Sequence, residues 1–187
     1  MMTAPRTKAE LAAHLDETGN SISATIAALT RQDFERASSD EWSASGYLQH
    51  LILSVKPLAK ALALPPAQMH KLFGQPDHES RSYADIVAFY QARIAQLLPP
   101  GSTNPLEPTT YRFPEGTTDQ KAYLAQTWAE AQQRLLQALA GWEEADLDAY
   151  QLPHPAMGPV TLREMLMFTY FHMTLHWHDM QRVSARE

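Results

Sequence analysis

Near the end of the chain, His172-Met173-Thr174-Leu175-His176 places two imidazoles four residues apart. On an α-helix, at about 100° per residue, that spacing puts both rings on one face, a turn apart, where they can share one metal ion. Met165, Leu166, Thr169, Met173 and Met180 fall on the same broad face, so the pair points inward, whereas His178 projects the other way and faces solvent. Burying two imidazoles in an apolar stripe is costly unless each ring nitrogen finds a partner. A divalent ion satisfies both at once. The plainer alternative is a pair of core histidines bonded to hydroxyls or carbonyls. A third imidazole, His50, lies beside Tyr47 and Leu51 at the edge of another apolar stripe, where a ligand would line a groove open to solvent. Alone it reads as a boundary histidine, but three protein ligands plus one open position is how catalytic zinc sites are commonly built.

Around these histidines stand weaker candidates. Asp179, three residues beyond His176, has the spacing to orient a ligand ring or to act as a base, though an exposed last-turn charge is the simpler reading. Tyr47, one turn before His50, could hydrogen-bond a substrate, and a buried core tyrosine is the simpler reading. Glu164 sits three residues after Thr161 and is explained by helix capping. His154, in Leu-Pro-His-Pro, could reach a pocket mouth or be a solvated loop histidine; the methionines at helical spacing read as core. Tyr111, Arg112 and Phe113 are candidates for a lid, with Arg112 meeting an anionic substrate. No G-x-S-x-G elbow, phosphate-binding glycine loop or EF-hand pattern occurs.

Composition removes several classes of function. The 187 residues include no cysteine, which excludes disulfides, Cys-ligated zinc, Fe–S clusters and a protein thiolate nucleophile. A net charge of −6 without a basic cluster argues against a nucleic-acid partner. Neither an apolar leader nor an 18-residue apolar run is found, so the expectation is a cytoplasmic protein with no membrane span. The length fits one domain over residues 1–187.

The elements that must position the histidines follow a helical period. The first helix opens on the capping-box pair Thr7 and Glu10, with Leu11, Leu15, Ile22, Ile26 and Leu29 inward. The second runs from Ser43 to a stop at Pro65-Pro66, with a kink expected at Pro57. Residues 67–80 read as a connector. A third helix begins near Ser82 and ends before Pro99, with Ile86, Phe89, Tyr90, Ile94 and Leu97 inward. Residues 99–116 hold five prolines and no helical period, a long loop of the functional or mobile kind. The fourth helix follows Thr117 and Gln120, another capping-box pair; Gly141–Pro159 reads as a second connector; the last helix spans Thr161 to about Val183. The sum is an all-α, antiparallel four-helix bundle with one additional helix and long Pro-rich connectors.

The segment Trp42-Ser43 to His50-Leu51 resembles the Trp-Ser…His segment of the DinB/YfiT-like superfamily. The stretch His154 to His176, with its Gly-x-x-Thr turn, Glu164 and His-x-x-x-His, is similar to that superfamily's C-terminal signature. The resemblance implies a four-helix bundle with a three-histidine metal site on His50, His172 and His176. It implies a metal-dependent enzyme acting on a small-molecule substrate, and a homodimer. The metal would be zinc, nickel or manganese, which a three-histidine site with water does not distinguish. In hydrolysis a metal hydroxide would attack; in transfer a low-molecular-weight thiol would bind as thiolate. The resemblance leans toward the thiol-dependent transferase. The rival is a non-catalytic structural or ligand-binding bundle, which would close the metal's coordination with Asp179 or His154.

Overall fold

The computed structural model describes residues 4–37, 41–98 and 108–185. In chain order these form α1 (Lys8–Ala28), α2 (Arg31–Glu35), α3 (Ala44–Leu62), α4 (Pro66–Phe73), α5 (Tyr83–Leu97), a 3₁₀ turn at Pro108–Thr110, α6 (Gln120–Ala140), α7 (Asp146–Ala149), β1 (Gln151–His154), β2 (Gly158–Thr161) and α8 (Leu162–Ser184). None of the helices is long and apolar enough to cross a membrane, among the described residues.

Helices α1, α3, α6 and α8 form the bundle, with α1 and α3 on one diagonal and α6 and α8 on the other. Side-chain contacts between them set their directions. Lys8 Nζ reaches Ala140 O (3.3 Å) and Lys121 Nζ reaches Leu29 O (2.5 Å), so α1 and α6 run antiparallel. Arg163 at the start of α8 bonds Arg6 O, and Trp177 near its end bonds Thr25, so α1 and α8 run parallel. Trp142, just past the end of α6, donates to Leu62 O at the end of α3, so α3 runs parallel to α6 and antiparallel to α8. Two helices therefore point each way, and α3 and α6 are parallel neighbours. Parallel neighbours need a crossover the length of the bundle, and α4 and α5 lie on it.

The sequence-level stripes of α1, α3 and α6 form the core: Leu11, Leu15, Ile22, Leu48, Leu51, Leu124, Trp128 and Leu135 are fully buried. Gly19 lets α1 and α6 approach, since a Cβ there would overlap the side-chain amide of Gln132, which donates to Leu15 O at 3.1 Å.

Several expectations are corrected. Residues 66–73 are helical, not connector: Pro66 has the φ a first helical turn needs and no N–H to leave unpaired, while Gly74 ends the helix at φ +74°. The expected single additional helix is joined by the short α2, α4 and α7. The cap of α6 is Asp119, which accepts from Ala122 N, whereas Thr117 donates to Pro114 O. Helix α5 packs on α8 at the periphery: Ile86 is fully buried, but Leu97 is 47% exposed instead of inward. Half of the expected 99–116 loop, residues 99–107, lies outside the described residues. Finally, the connector before α8 contains an antiparallel hairpin, with Pro153 opposite Pro159 and Gly158 at φ +77°. Proline is tolerated because both strands of a two-stranded ribbon are edges.

Candidate metal centre

Two capped helix starts fix the register of the histidines. Ser43 accepts from Gly46 N at the head of α3, which places His50 in the second turn. A Cβ on Gly46 would lie 3.0 Å from Trp42 Cβ and 3.2 Å from Pro108, so this glycine lets Trp42 fold back over the helix, where its ring sits 5.2 Å from that of His50. At the head of α8 the Thr161–Glu164 capping box is complete in both directions. From that start His172 falls on the α3-facing side of α8, with His176 one turn on.

The three rings converge through the same atom. His50 Nε2 lies 2.9 Å from His172 Nε2, and His176 Nε2 lies 3.1 Å from it. His50 and His172 are each 4% exposed, so the edge position expected for His50 is a buried one. His172 Nε2 takes part in both contacts, yet a neutral imidazole carries at most one hydrogen on that atom. Protons therefore cannot satisfy all three nitrogens together, whereas one cation at their common focus would. Burial, followed by the neighbouring His176, His50 and His154, holds the His172 pKa well below its ordinary value. Its lone pair is thus available near neutral pH. The residues present fit a divalent ion.

Asp179 is where the simpler reading fails. It is no free surface charge: its Oδ2 accepts from His176 Nδ1 at 2.9 Å and its Oδ1 accepts from Arg182 Nη2 at 2.6 Å. Arg182 also pairs with Glu41. A carboxylate on Nδ1 puts the hydrogen there and leaves Nε2 as a bare lone pair facing the other rings. Tyr47 is buried and stacks on His176 at 5.3 Å. Phe168 stacks on His172 at 5.1 Å. Phe168 and Arg182 escaped the sequence reading, although each stands at helical spacing from the residue it serves.

Beside the centre is a cavity of about 630 Å³ between α3, α5, the hairpin and α8, with His50 and His172 in its wall. Pro57 has no N–H to offer the Leu53 carbonyl, and both residues line this cavity, so the interruption of the α3 ladder falls on its wall. His154 also lines it; its Nδ1 accepts from Ala156 N and Met157 N, both at 3.1 Å, and burial pushes its pKa down to about 4. The lid expected from Tyr111 and Phe113 is not found: Phe113 packs on Tyr123 of α6 at 5.9 Å, and neither residue lines the cavity.

Glu164 does more than cap. It is fully buried and accepts from Thr161 N (2.9 Å), Arg81 N (2.9 Å), Arg81 Nη1 (2.8 Å) and His78 Nε2 (3.0 Å), pinning the α4–α5 connector to the head of α8.

Compared with known protein families, residues 14–180 match the family model described as the DinB superfamily. No curated protein and no solved structure matches the chain.

Proposed function

The chain belongs to the DinB superfamily, and from that premise we propose that His50, His172 and His176 hold one divalent cation at which the protein transforms a small molecule. The reaction is thiol-dependent transfer or hydrolysis. The observation that carries this reading is the meeting of three Nε2 atoms inside the bundle, two from α8 and one from α3.

When bound, such an ion supplies positive charge that acidifies a coordinated water or thiol and polarises an electrophile. Three neutral imidazoles leave that charge undiminished. The chain's own residues prepare for it. Asp179 keeps the His176 hydrogen on Nδ1, and Arg182 balances the charge of Asp179. Trp42 and Tyr47 pack together against the His176 ring, at 6.4 and 5.3 Å, and restrict it.

A catalytic centre is favoured over a structural one by the lack of a fourth protein ligand. Among the described residues no further His, Asp or Glu converges on the trio. Asp179 spends its carboxylate on the far nitrogen of His176, and His154 Nδ1 is occupied by backbone amides. Zinc, nickel and manganese all suit this donor set. Thiol transfer is preferred to hydrolysis on the family likeness, with the low-molecular-weight thiol as co-substrate.

Elemental analysis of the purified protein beside His176→Ala tests the centre. Bound metal is expected to fall to background in the variant, and equal content in both would overturn the proposal. Metal-loaded protein assayed with thiols and electrophiles, each alone and together, separates transfer from hydrolysis.

A further inference from the structure

We infer that the cavity beside the histidines takes a neutral small molecule with an apolar body and one hydrogen-bond acceptor, the acceptor being held by the Nε2–H of His154. The inference rests on the histidine centre being the reacting site, and it names the class of molecule that site receives.

The volume, about 630 Å³, lies within the about 300–1,000 Å³ of small-molecule pockets. Among the described residues, no Lys, Arg, Asp or Glu lines it. Away from the metal, an ionic group would lose its water against these walls without gaining a counter-charge. The two hydroxyls in the α3 and α8 walls are already spent on their own helices: Ser54 donates to His50 O at 3.0 Å and Thr169 to Met165 O at 2.7 Å. The charged groups of the centre, Asp179, Arg182 and Glu41, gather instead around His176, which does not line the cavity.

Beside the Tyr90 phenol, which also lines the cavity, His154 is the polar side chain that remains. Two backbone N–H groups donate to its Nδ1, which excludes a hydrogen there and places it on Nε2. That N–H has no protein acceptor among the described residues. The ring is held edge-on between Phe168 at 4.4 Å and Tyr90 at 5.9 Å, and Phe168 in turn stacks on His172 at 5.1 Å. One aromatic ring therefore separates the donor from the reacting end. A ligand that spans it sets its acceptor on His154 and its other end near His50 and His172.

The test uses the full chain, metal-loaded, and the neutral fluorophore N-phenyl-1-naphthylamine, displaced by 2-octanone, octane or octanoate; 2-octanone and octanoate are compared on the metal-free full chain, where the carboxylate has no cation to meet. We expect 2-octanone to displace the probe at least about tenfold better than octanoate. His154→Asn, whose amide oxygen can keep the loop bonds while Nε2 is lost, should weaken 2-octanone about five- to tenfold and leave octane unchanged. Ala61→Trp, which fills the cavity from α3, should abolish probe binding. Equal displacement by octanoate, or no probe binding by metal-loaded protein, overturns the inference and leaves the metal centre standing. Ketone binding by protein that retains no metal after loading upholds the cavity assignment and overturns the metal centre. The octanoate comparison needs no variant, so a misfolded mutant cannot obscure it.

Discussion

Asp179 and His154 show how a single hydrogen bond decides what an imidazole can do. With Asp179 on Nδ1, His176 offers a lone pair to its neighbours; with two amides on Nδ1, His154 offers a hydrogen to the cavity. Asp179→Ala is expected to weaken metal binding about 10–100-fold, read by chelator competition, while the metal-free unfolding midpoint stays close to wild type. For His154 the consequence is a pH dependence. Its folded pKa of about 4 lies below the ordinary 6.5, so the unfolded chain takes up the proton first as pH falls. The contribution of neutral His154 is therefore complete above about pH 6.5 and is lost toward pH 4, at up to about 1.4 kcal/mol per pH unit. The groups facing it are Tyr90 from α5 and His172 from α8, with Arg93 bound to Ala156 O of its loop. Urea midpoints of metal-free protein at pH 7, 6 and 5 should fall less steeply in His154→Asn. The His172–His176 pair was legible because helical period alone sets it. The role of Asp179 was not, because three residues along a helix is compatible with the ring or with solvent, and Arg182 chooses.

Among the elements, α8 depends on its first turn. Burial by itself would raise the Glu164 pKa, but the Arg81 amide, His78, the Thr161 amide and the Arg81 charge together hold it below its ordinary value. Its stabilisation is thus present above about pH 4.5 and lost as pH falls through the lowered folded pKa. His78 has the opposite sign: Asp77 and then Glu164 raise its pKa, so its share is complete below about 6.5 and lost as pH rises through the raised value. Glu164→Gln keeps the shape and removes the charge, leaving Arg81 without its partner. It should cost about 2–4 kcal/mol in urea unfolding and free the connector ahead of α5, seen as faster hydrogen exchange at residues 77–82. The α1–α6 contact gives a second check. Gly19→Ala should destabilise by displacing the Gln132 amide, and Gly19→Ala with Gln132→Ala should recover most of the loss, as a double-mutant cycle would read. The capping boxes of α1 and α8 were visible in sequence as short local patterns, whereas the pair Thr117 and Gln120 is not the cap of α6. Helix α4 and the hairpin were hidden by proline, which reads as a breaker unless it is known to stand at a first turn or on an edge.

For the whole molecule, the consequence of the topology is that α3 and α8 meet at the histidines although His50 and His172 are 122 residues apart in the chain. A cation bound there ties two helices that already share a core, so removing it should loosen the bundle without unfolding it. With metal at about 100 times its dissociation constant, folding should gain about 2.7 kcal/mol. A chelator should then lower the melting temperature while far-UV circular dichroism at 25 °C stays unchanged; loss of helix on chelation would mean that the metal, not the core, holds the fold. The same topology makes the cavity. Because α3 and α6 are parallel, the crossover between them runs the length of the bundle, and its helix α5 closes one wall.

The sequence by itself determined the helices of the bundle, the caps of α1, α3 and α8, and the inward face shared by His172 and His176, because these depend on residues within a turn or two of one another. It also excluded a thiolate nucleophile on the protein itself, since there is no cysteine to supply it. Only the tertiary structure decided that His50 meets the other two, that Asp179 and Arg182 turn toward His176, and that His154 faces an uncharged cavity. Those facts depend on how far apart four helices pack and which way each one runs, and no spacing along the chain records that.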